Sequence, residues 1–465
     1  MGIRLSGSSL RHWPKVGPRL LFWRRSLSGA LFFRSNILTR LLRSFLLAVA
    51  GVYLLSGCGV DGSSDAEPIA LAPDSGVEET PAGQEENSQP SPAAFDAVSM
   101  ITQIADEVFV ANYAALSESA ASFAASDGSL KSYCSAIGTD QEAAAFDSAR
   151  DQWRLTMAAV QATEIHVLGP AANNEDALRS RVHSYGAGKL STCGVDQTVV
   201  LAEEAGFDVS SRSINQRGMG AIGYLLFNSN LTHTCASQVP ETQSWNERPE
   251  SERRIKRCEL ASKIAIDVAE AASIIDVDWR TYRASFVNQD NAGDSLQLIT
   301  DGLFALDKLV KDLKLTVPTG FSKDCSARTC PNLVESPYSE NSYKNVRDNL
   351  LSFRNIFSGD GGLGFDDYID NEGFPDVSKR FLENINAAIA VVDAADASIS
   401  VEVASIKTAA DETACTNAFA APDQPSQLNA CRLAGSIKRI TDDLKIDFVT
   451  IVGVMIPDSA QSDND

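Results

Sequence analysis

From Pro92 onward the apolar residues recur at steps of three and four. Val98, Ile101, Ala105 and Val108 step by 3, 4, 3, and Phe146, Ala149, Trp153, Met157 and Val160 by 3, 4, 4, 3. Ile299, Leu303, Leu306, Val310 and Leu313 step by 4, 3, 4, 3. Such steps line apolar side chains along one face of a helix and predict core-facing stripes. Near the C-terminus, Leu433, Ile437, Ile440, Leu444, Phe448 and Ile451 form one seam that predicts a helix packed against a bundle. An uninterrupted pattern from Pro249 to Phe286, carried by Ile255, Leu260, Ile264, Val268, Ala271, Ile275 and Trp279, predicts one long helix. No alternating run of β-branched residues argues for a major sheet. The Gly-, Asp- and Asn-rich stretch after Val287 is the best break. The chain thus reads as all-α, with two packed helical bundles over residues 94–286 and 287–465.

Upstream the pattern changes twice. Phe45 to Leu55 is an apolar run behind Arg40 and Arg43, too short for the roughly 20 residues that span a bilayer as a helix. It predicts a signal-peptide core within residues 1–57. The run ends in Leu55-Ser56-Gly57-Cys58, which resembles the lipobox of bacterial lipoproteins, so Cys58 is the expected lipidated N-terminus of the mature chain. Residues 58–93 then read as an acidic, disordered tether, rich in Ser, Gly, Pro, Asp and Glu and too poor in large apolar residues to offset ordering entropy. With Gly59 rather than Asp after Cys58, lipoprotein sorting implies an outer-membrane anchor facing the periplasm.

Composition narrows the function classes. With 44% hydrophobic and 22% charged residues the chain is neither collagen-like nor wholly disordered. Nine basic residues and no acid precede Cys58, so the remainder carries 31 basic residues against 61 acidic ones, a net charge of −30. Such a surface repels phosphate backbones and excludes nucleic acid as a partner. Eight cysteines follow Cys58, an even number in an exported chain, where disulfides persist. Eight cysteines allow 105 connectivities. Sequence order suggests nearest-neighbour pairs: Cys134–Cys193, Cys235–Cys258, Cys325–Cys330 and Cys415–Cys431. Paired C-x-x-C spacing for a thiolate metal site is absent.

Three segments carry a family resemblance. Trp153 through Glu164-Ile165-His166-Val167-Leu168-Gly169-Pro170, then Gly218 to Phe227, then Glu335 to Ser342 with Asn349 to Gly359 are similar to the imelysin-like family of bacterial envelope proteins. The segments occur in the family's order across nearly the whole ordered chain. The resemblance implies two packed helical bundles with a site between them, and a role either as metallopeptidase or as iron-associated envelope component. The family's hallmark is G-x-H-x-x-E, whose imidazole and carboxylate share one helical face and could ligate one metal. Here Gly218 keeps the first position, but Gly220 replaces the histidine and Gly223 the glutamate. Close packing of backbone or a ligand pocket enlarged by the missing side chains would each account for these glycines.

Other residues could still build a site. Beyond the signal the histidines are His166, His183 and His233, with no H-x-x-E or H-E-x-x-H. His166 stands beside Glu164, which continues the Trp153 stripe and needs a partner if buried; Arg217 is the expected one. His183 and His233 read as surface residues. Tyr224 belongs to the glycine segment, while Ser336, Tyr338, Ser339 and Ser342 place hydroxyls around a helix start, with Ser339 as N-cap and Ser342 at the capping-box position. Gly359 to Asp367 reads as a flexible connection. The reading is a non-catalytic lipoprotein that binds a ligand or envelope partner in the inter-bundle cleft. No cofactor is expected, iron being the one alternative. A structural or interaction module is the alternative, and a metallopeptidase lacks both motif ligands.

Overall fold

The computed structural model describes residues 95–461 apart from 184 and 186–188. The signal peptide, the Cys58 anchor and the tether lie outside the described residues. Helix α1 (Ala97–Ile104) passes through a π-helical stretch (Ala105–Val110) into α2 (Ala111–Ala124). There follow α3 (Ser129–Ala136), α4 (Glu142–Glu164), α5 (Asn173–His183), α6 (Thr192–Leu201), α7 (Gly218–Phe227) and α8 (Glu250–Phe286). Helix α9 (Ala292–Ala305) runs through a π-helical stretch (Leu306–Thr316) into α10 (Val317–Thr319). After α11 (Ser342–Phe357), α12 (Phe365–Asn371), α13 (Pro375–Asp393), α14 (Ile399–Ser405) and α15 (Ala409–Ala420), helix α16 (Asn429–Asp443) continues through a third π-helical stretch (Leu444–Phe448) into α17 (Val449–Val452). A short α18 (Asp458–Gln461) closes the described chain. No strand occurs among the described residues, and the fold is all-α, as the apolar spacing predicts.

Contacts fall into two sets. Helix α8 packs against α2, α3, α5 and α7, with α4 against α2 and α3; later in the chain α16 packs against α13, α15 and the Leu306–Thr316 stretch, with α11 against α13. Helices α4 and α11 pack directly on each other. One apolar cluster runs through both sets, from Met100 to Ala460, inside a single compact unit. The stripe of α4 is buried as expected, with Ala149, Trp153, Met157 and Val160 all 1% exposed or less.

The π-helical stretches shift the predicted stripes. Their i→i+5 bonding widens the turn, so residues four or five apart, rather than three or four, share a face. After Leu306 and Val310 the buried face continues at Lys314 and Leu315, and Leu313, predicted to be core, is 43% exposed. Likewise Val452 is buried after Phe448, where the sequence predicted Ile451. Gly359 to Asp367 is not a flexible connection: Gly359–Gly361 forms a 3-10 turn, Gln103 Nε2 donates to the Gly359 carbonyl at 3.0 Å, and α12 begins at Phe365.

All eight described cysteines are disulfide-bonded, but half of the expected pairing is corrected. Cys325–Cys330 and Cys415–Cys431 are present, whereas the other bonds join Cys134 to Cys258 and Cys193 to Cys235. The reason is tertiary: α3 lies on α8, which brings Cys134 to Cys258 although 124 residues separate them.

Candidate functional site

The centre of the site is Lys314. The widened turn of its π-helical stretch carries the ammonium inward, where it is 4% exposed and surrounded by oxygen. Nζ donates to Gln161 Oε1 at 2.5 Å and Asn349 Oδ1 at 2.8 Å, bonds Glu164, and lies 3.0 Å from Glu335 Oε2. Helix α4 supplies Gln161 and Glu164, α11 supplies Asn349, and the loop before α11 supplies Glu335. Asn349 Nδ2 donates back to the Gln161 carbonyl (2.8 Å), Gln161 Oε1 (3.1 Å) and Glu164 Oε2 (3.0 Å), and Gln161 Nε2 donates to Glu335 Oε1 at 3.1 Å. Burial alone would push the lysine down, but the two carboxylates outweigh it and hold the ammonium above the ordinary lysine value.

Glu164 is therefore paired, though not by Arg217. Arg217 reaches Asp267 on α8 at 3.4 Å, alongside Arg181 at 2.7 Å, because α7 and α5 both pack on that helix. His183 is not a surface residue: it is 4% exposed with Nδ1 3.8 Å from Glu164 Oε1. Burial, then the charges of Arg179 and Lys314, push it well below the ordinary imidazole value, so it is neutral. His233 is half-buried, its backbone N–H donating to Asn246 Oδ1.

His166 and Glu164, neighbours in sequence, have different partners. His166 is fully buried, its ring edge-on to Phe109 and Tyr113, with Nε2 3.0 Å from Ser352 Oγ. Because Ser352 Oγ donates to the Ala162 carbonyl at 2.7 Å, the network assigns the proton to His166 Nε2. Burial, then the charge of Arg179, lowers its pKa to about 3.

The glycine segment forms α7. A Cβ on Gly223 would lie 2.8 Å from Trp153 Cζ2, and Trp153 Nε1 donates to the Met219 carbonyl at 3.0 Å, so an indole fills the space beside the missing glutamate. Gly218 opens the helix with φ of +76°, a conformation that suits glycine. Tyr224 has partners other than Lys314: its hydroxyl donates to Asp196 at 3.0 and 3.1 Å and its ring meets Tyr338 edge-on at 4.9 Å.

The loop before α11 holds Glu335 in place. Ser336 and Glu340 adopt left-handed backbone, with φ of +52° and +55°, which costs non-glycine residues energy unless neighbours impose it. The neighbours are present. Ser336 N–H donates to Tyr185 Oη at 3.0 Å, Asn345 Nδ2 to Ser336 Oγ at 3.2 Å, Ser339 Oγ to the Ser336 carbonyl at 3.2 Å, and Ser342 Oγ to the Glu335 carbonyl. Ser339 is thus not the N-cap, and Ser342 is the first helical residue after Asn341. These serines spend their hydroxyls on the loop, because its tight path leaves carbonyls that helix hydrogen bonds cannot reach.

Beside this cluster lies a cavity of about 170 Å³, walled by Leu309, Leu313, Val317 and Leu333 and edged by Arg179 and Lys189. Sequence reasoning missed Lys314, Gln161 and Arg179. The signal available was polarity on an otherwise apolar helical face, as for Glu164, but the π-helical shift hid it for Lys314.

The family model described as imelysin matches residues 109–428. An imelysin-like protein from Psychrobacter arcticum 273-4 has a similar structure, with a TM-score of 0.57 at 12% identity, covering 78% of this chain and 98% of that one. A protein described as an iron-regulated protein A precursor, from Parabacteroides distasonis ATCC 8503, gives a TM-score of 0.48 at 13% identity over 77% of this chain and 97% of that one. No curated protein matches the sequence.

Proposed function

The chain belongs to the imelysin family, and on that premise we propose that it is a non-catalytic, lipid-anchored binding protein of the bacterial cell envelope. Its ligand or partner is taken at the Lys314 seam and its adjoining cavity, in an iron-related role that the family resemblance suggests. One observation carries the non-catalytic part: the buried carboxylates of Glu164 and Glu335 are already bridged by the chain's own ammonium, which takes the place between them that a cation would need. A hydrolytic metal needs about three protein ligands and an open position. Here the motif positions are Gly220 and Gly223, an indole fills the space beside the second, and Lys314 holds Glu164 and Glu335. This donor set does not fit such a metal. Among the described residues no group of three or more His, Cys, Asp or Glu is placed to hold one, and no helix is long and apolar enough to cross a membrane. The envelope part rests on the signal and Cys58.

Metal analysis of the purified protein after exposure to iron, zinc and manganese should find far less than one ion per chain, and peptidase activity should be at background with or without chelator. One tightly held ion, or proteolysis lost on chelation, refutes the reading. Cys58→Ser should abolish lipid labelling and release the protein from membranes; retention without lipid refutes the anchor.

A further inference from the structure

Helix α8 packs the side carrying Leu260, Ile264, Val268, Ile275 and Trp279 against its neighbours and turns the opposite face to solvent. Along that outer face Ile266, Glu270, Ser273, Val277, Arg280 and Ala284 recur at steps of 4, 3, 4, 3 and 4, and all of them are exposed. Such steps mark the seam along which one helix pairs with another. A helix face that meets only water is charged or polar. Here Ile266 and Val277 are each 58% exposed, and Ile274 beside them is 36% exposed. Only two of the six seam positions are charged, and their signs are opposite: the Glu270 side chain is 65% exposed and that of Arg280 is 53% exposed. None of these residues belongs to the Lys314 cluster.

The seam is its own complement. Taken from both ends inward, Ile266 matches Ala284, Glu270 matches Arg280 and Ser273 matches Val277, so each large apolar side chain meets a small one and the acid meets the base. We propose that this face pairs with the same face of a second copy, the two α8 helices running antiparallel about a two-fold axis at the level of Ile275. A two-fold contact requires that every pairing occur twice, once on either side of the axis, and Glu270 with Arg280 satisfies that. Within one chain Glu270 also lies 3.2 Å from Arg181, and Arg280 lies 2.9 Å from Asp276. Ion pairs as exposed as these contribute little alone, and they hold both side chains where the second copy meets them. On one flank of the axis Ile274 of each copy meets the other; on the opposite flank each Asp276 is held by its own Arg280. The seam is about 27 Å long at about 1.5 Å per residue. One helix pair of that length buries less than the roughly 1,600 Å² of a standard interface, so the dimer is a weak one.

The test is sedimentation equilibrium in a Cys58→Ser background, so that no lipid joins the copies. The average mass should rise from that of one chain toward that of two as concentration is raised from about 1 μM to about 500 μM. Glu270→Lys and Arg280→Glu should each weaken self-association at least about tenfold, because each sets like charges opposite one another on both sides of the axis. The double variant should regain it. An equimolar mixture of the two single variants should also associate, because the introduced lysine then faces the introduced glutamate while the native Arg280 and Glu270 still meet. Val277→Arg, which changes neither charged position, should weaken the dimer as well and keeps the test usable if a charge variant misfolds; a thermal melt shows whether each variant is folded. One chain at every concentration, or a dimer indifferent to all three substitutions, overturns the proposal. Single variants that weaken association with no recovery in the double variant or in the mixture overturn the antiparallel pairing.

Discussion

A methyl group added at Gly223 would meet the Trp153 ring at 2.8 Å, closer than carbon atoms pack. Alanine gains about 1 kcal/mol over glycine within a helix, but overpacking a tight core costs about 1–3 kcal/mol. The clash wins, so Gly223→Ala should lower stability by roughly 1 kcal/mol in chemical denaturation. Combined with Trp153→Phe, which removes the offending ring edge, the same substitution should become neutral or stabilising; an unchanged penalty would show that the indole is not what excludes a side chain. Restoring the full motif would also bring a carboxylate against this indole, which costs free energy unless it finds a partner. Asp348 on α11 behaves differently: burial, against the charges of Arg347, Lys314 and Lys344, pushes its carboxyl up to about 6. An acid whose folded pKa is raised costs stability once the unfolded chain ionises, so the penalty grows as pH rises from about 4 to about 6 and stays above that. Asp348→Asn should therefore leave the melting temperature unchanged at pH 4 and raise it by about 2 °C at pH 7.5. A gain of equal size at both values would rule out titration as the cause.

At the level of elements, straight α-helical stripes were legible and departures from them were not. Helices α4 and α8 follow the apolar spacing because each turn repeats the same geometry, and α8 runs from Glu250 to Phe286 as the pattern predicts. The stripe through Leu306 and Val310 fails at Leu313, inside a π-helical stretch, and that of the last helix at Ile451, just after one. Such a stretch has no composition of its own, and that is why Lys314 escaped notice while Glu164, on a regular helix, stood out. Disulfide pairing failed for a related reason: loop order cannot show that α3 lies on α8. The structure now ranks the bonds. In the chain-entropy account, a bond closing the 124-residue separation of Cys134 and Cys258 contributes about 5 kcal/mol, and the 5-residue Cys325–Cys330 loop about 2. Replacing Cys134 and Cys258 together by alanine should thus cost at least twice as much stability as replacing Cys325 and Cys330. Peptide mapping without reduction should find Cys134 joined to Cys258; recovery of Cys134 joined to Cys193 would contradict the structure.

On the scale of the whole molecule, the Lys314 cluster ties residues far apart in sequence. Gln161 and Glu164 come from α4, Lys314 from the stretch after α9, and Glu335 and Asn349 from either side of the start of α11. The apolar cluster is continuous across the same seam, so both sets of helices should unfold in one transition. Lys314 is the buried cation in that coupling. Lys314→Met keeps the stem but leaves Glu164 and Glu335 buried side by side without a cation. Breaking a buried ion pair by removing one partner costs about 3–5 kcal/mol, because the remaining charge stays desolvated. The loss should be largest near pH 7.5 and shrink as pH falls toward 5, where the stranded carboxylates take up protons that the unfolded chain does not yet bind. Adding Glu335→Gln to Lys314→Met should recover part of it at pH 7.5 by removing one of the two charges. Denaturation at both pH values decides the matter: a loss that is small, or equal at pH 5 and 7.5, would mean that the seam is held by its apolar contacts and that Lys314 is not the chain's own substitute for a cation between the two carboxylates.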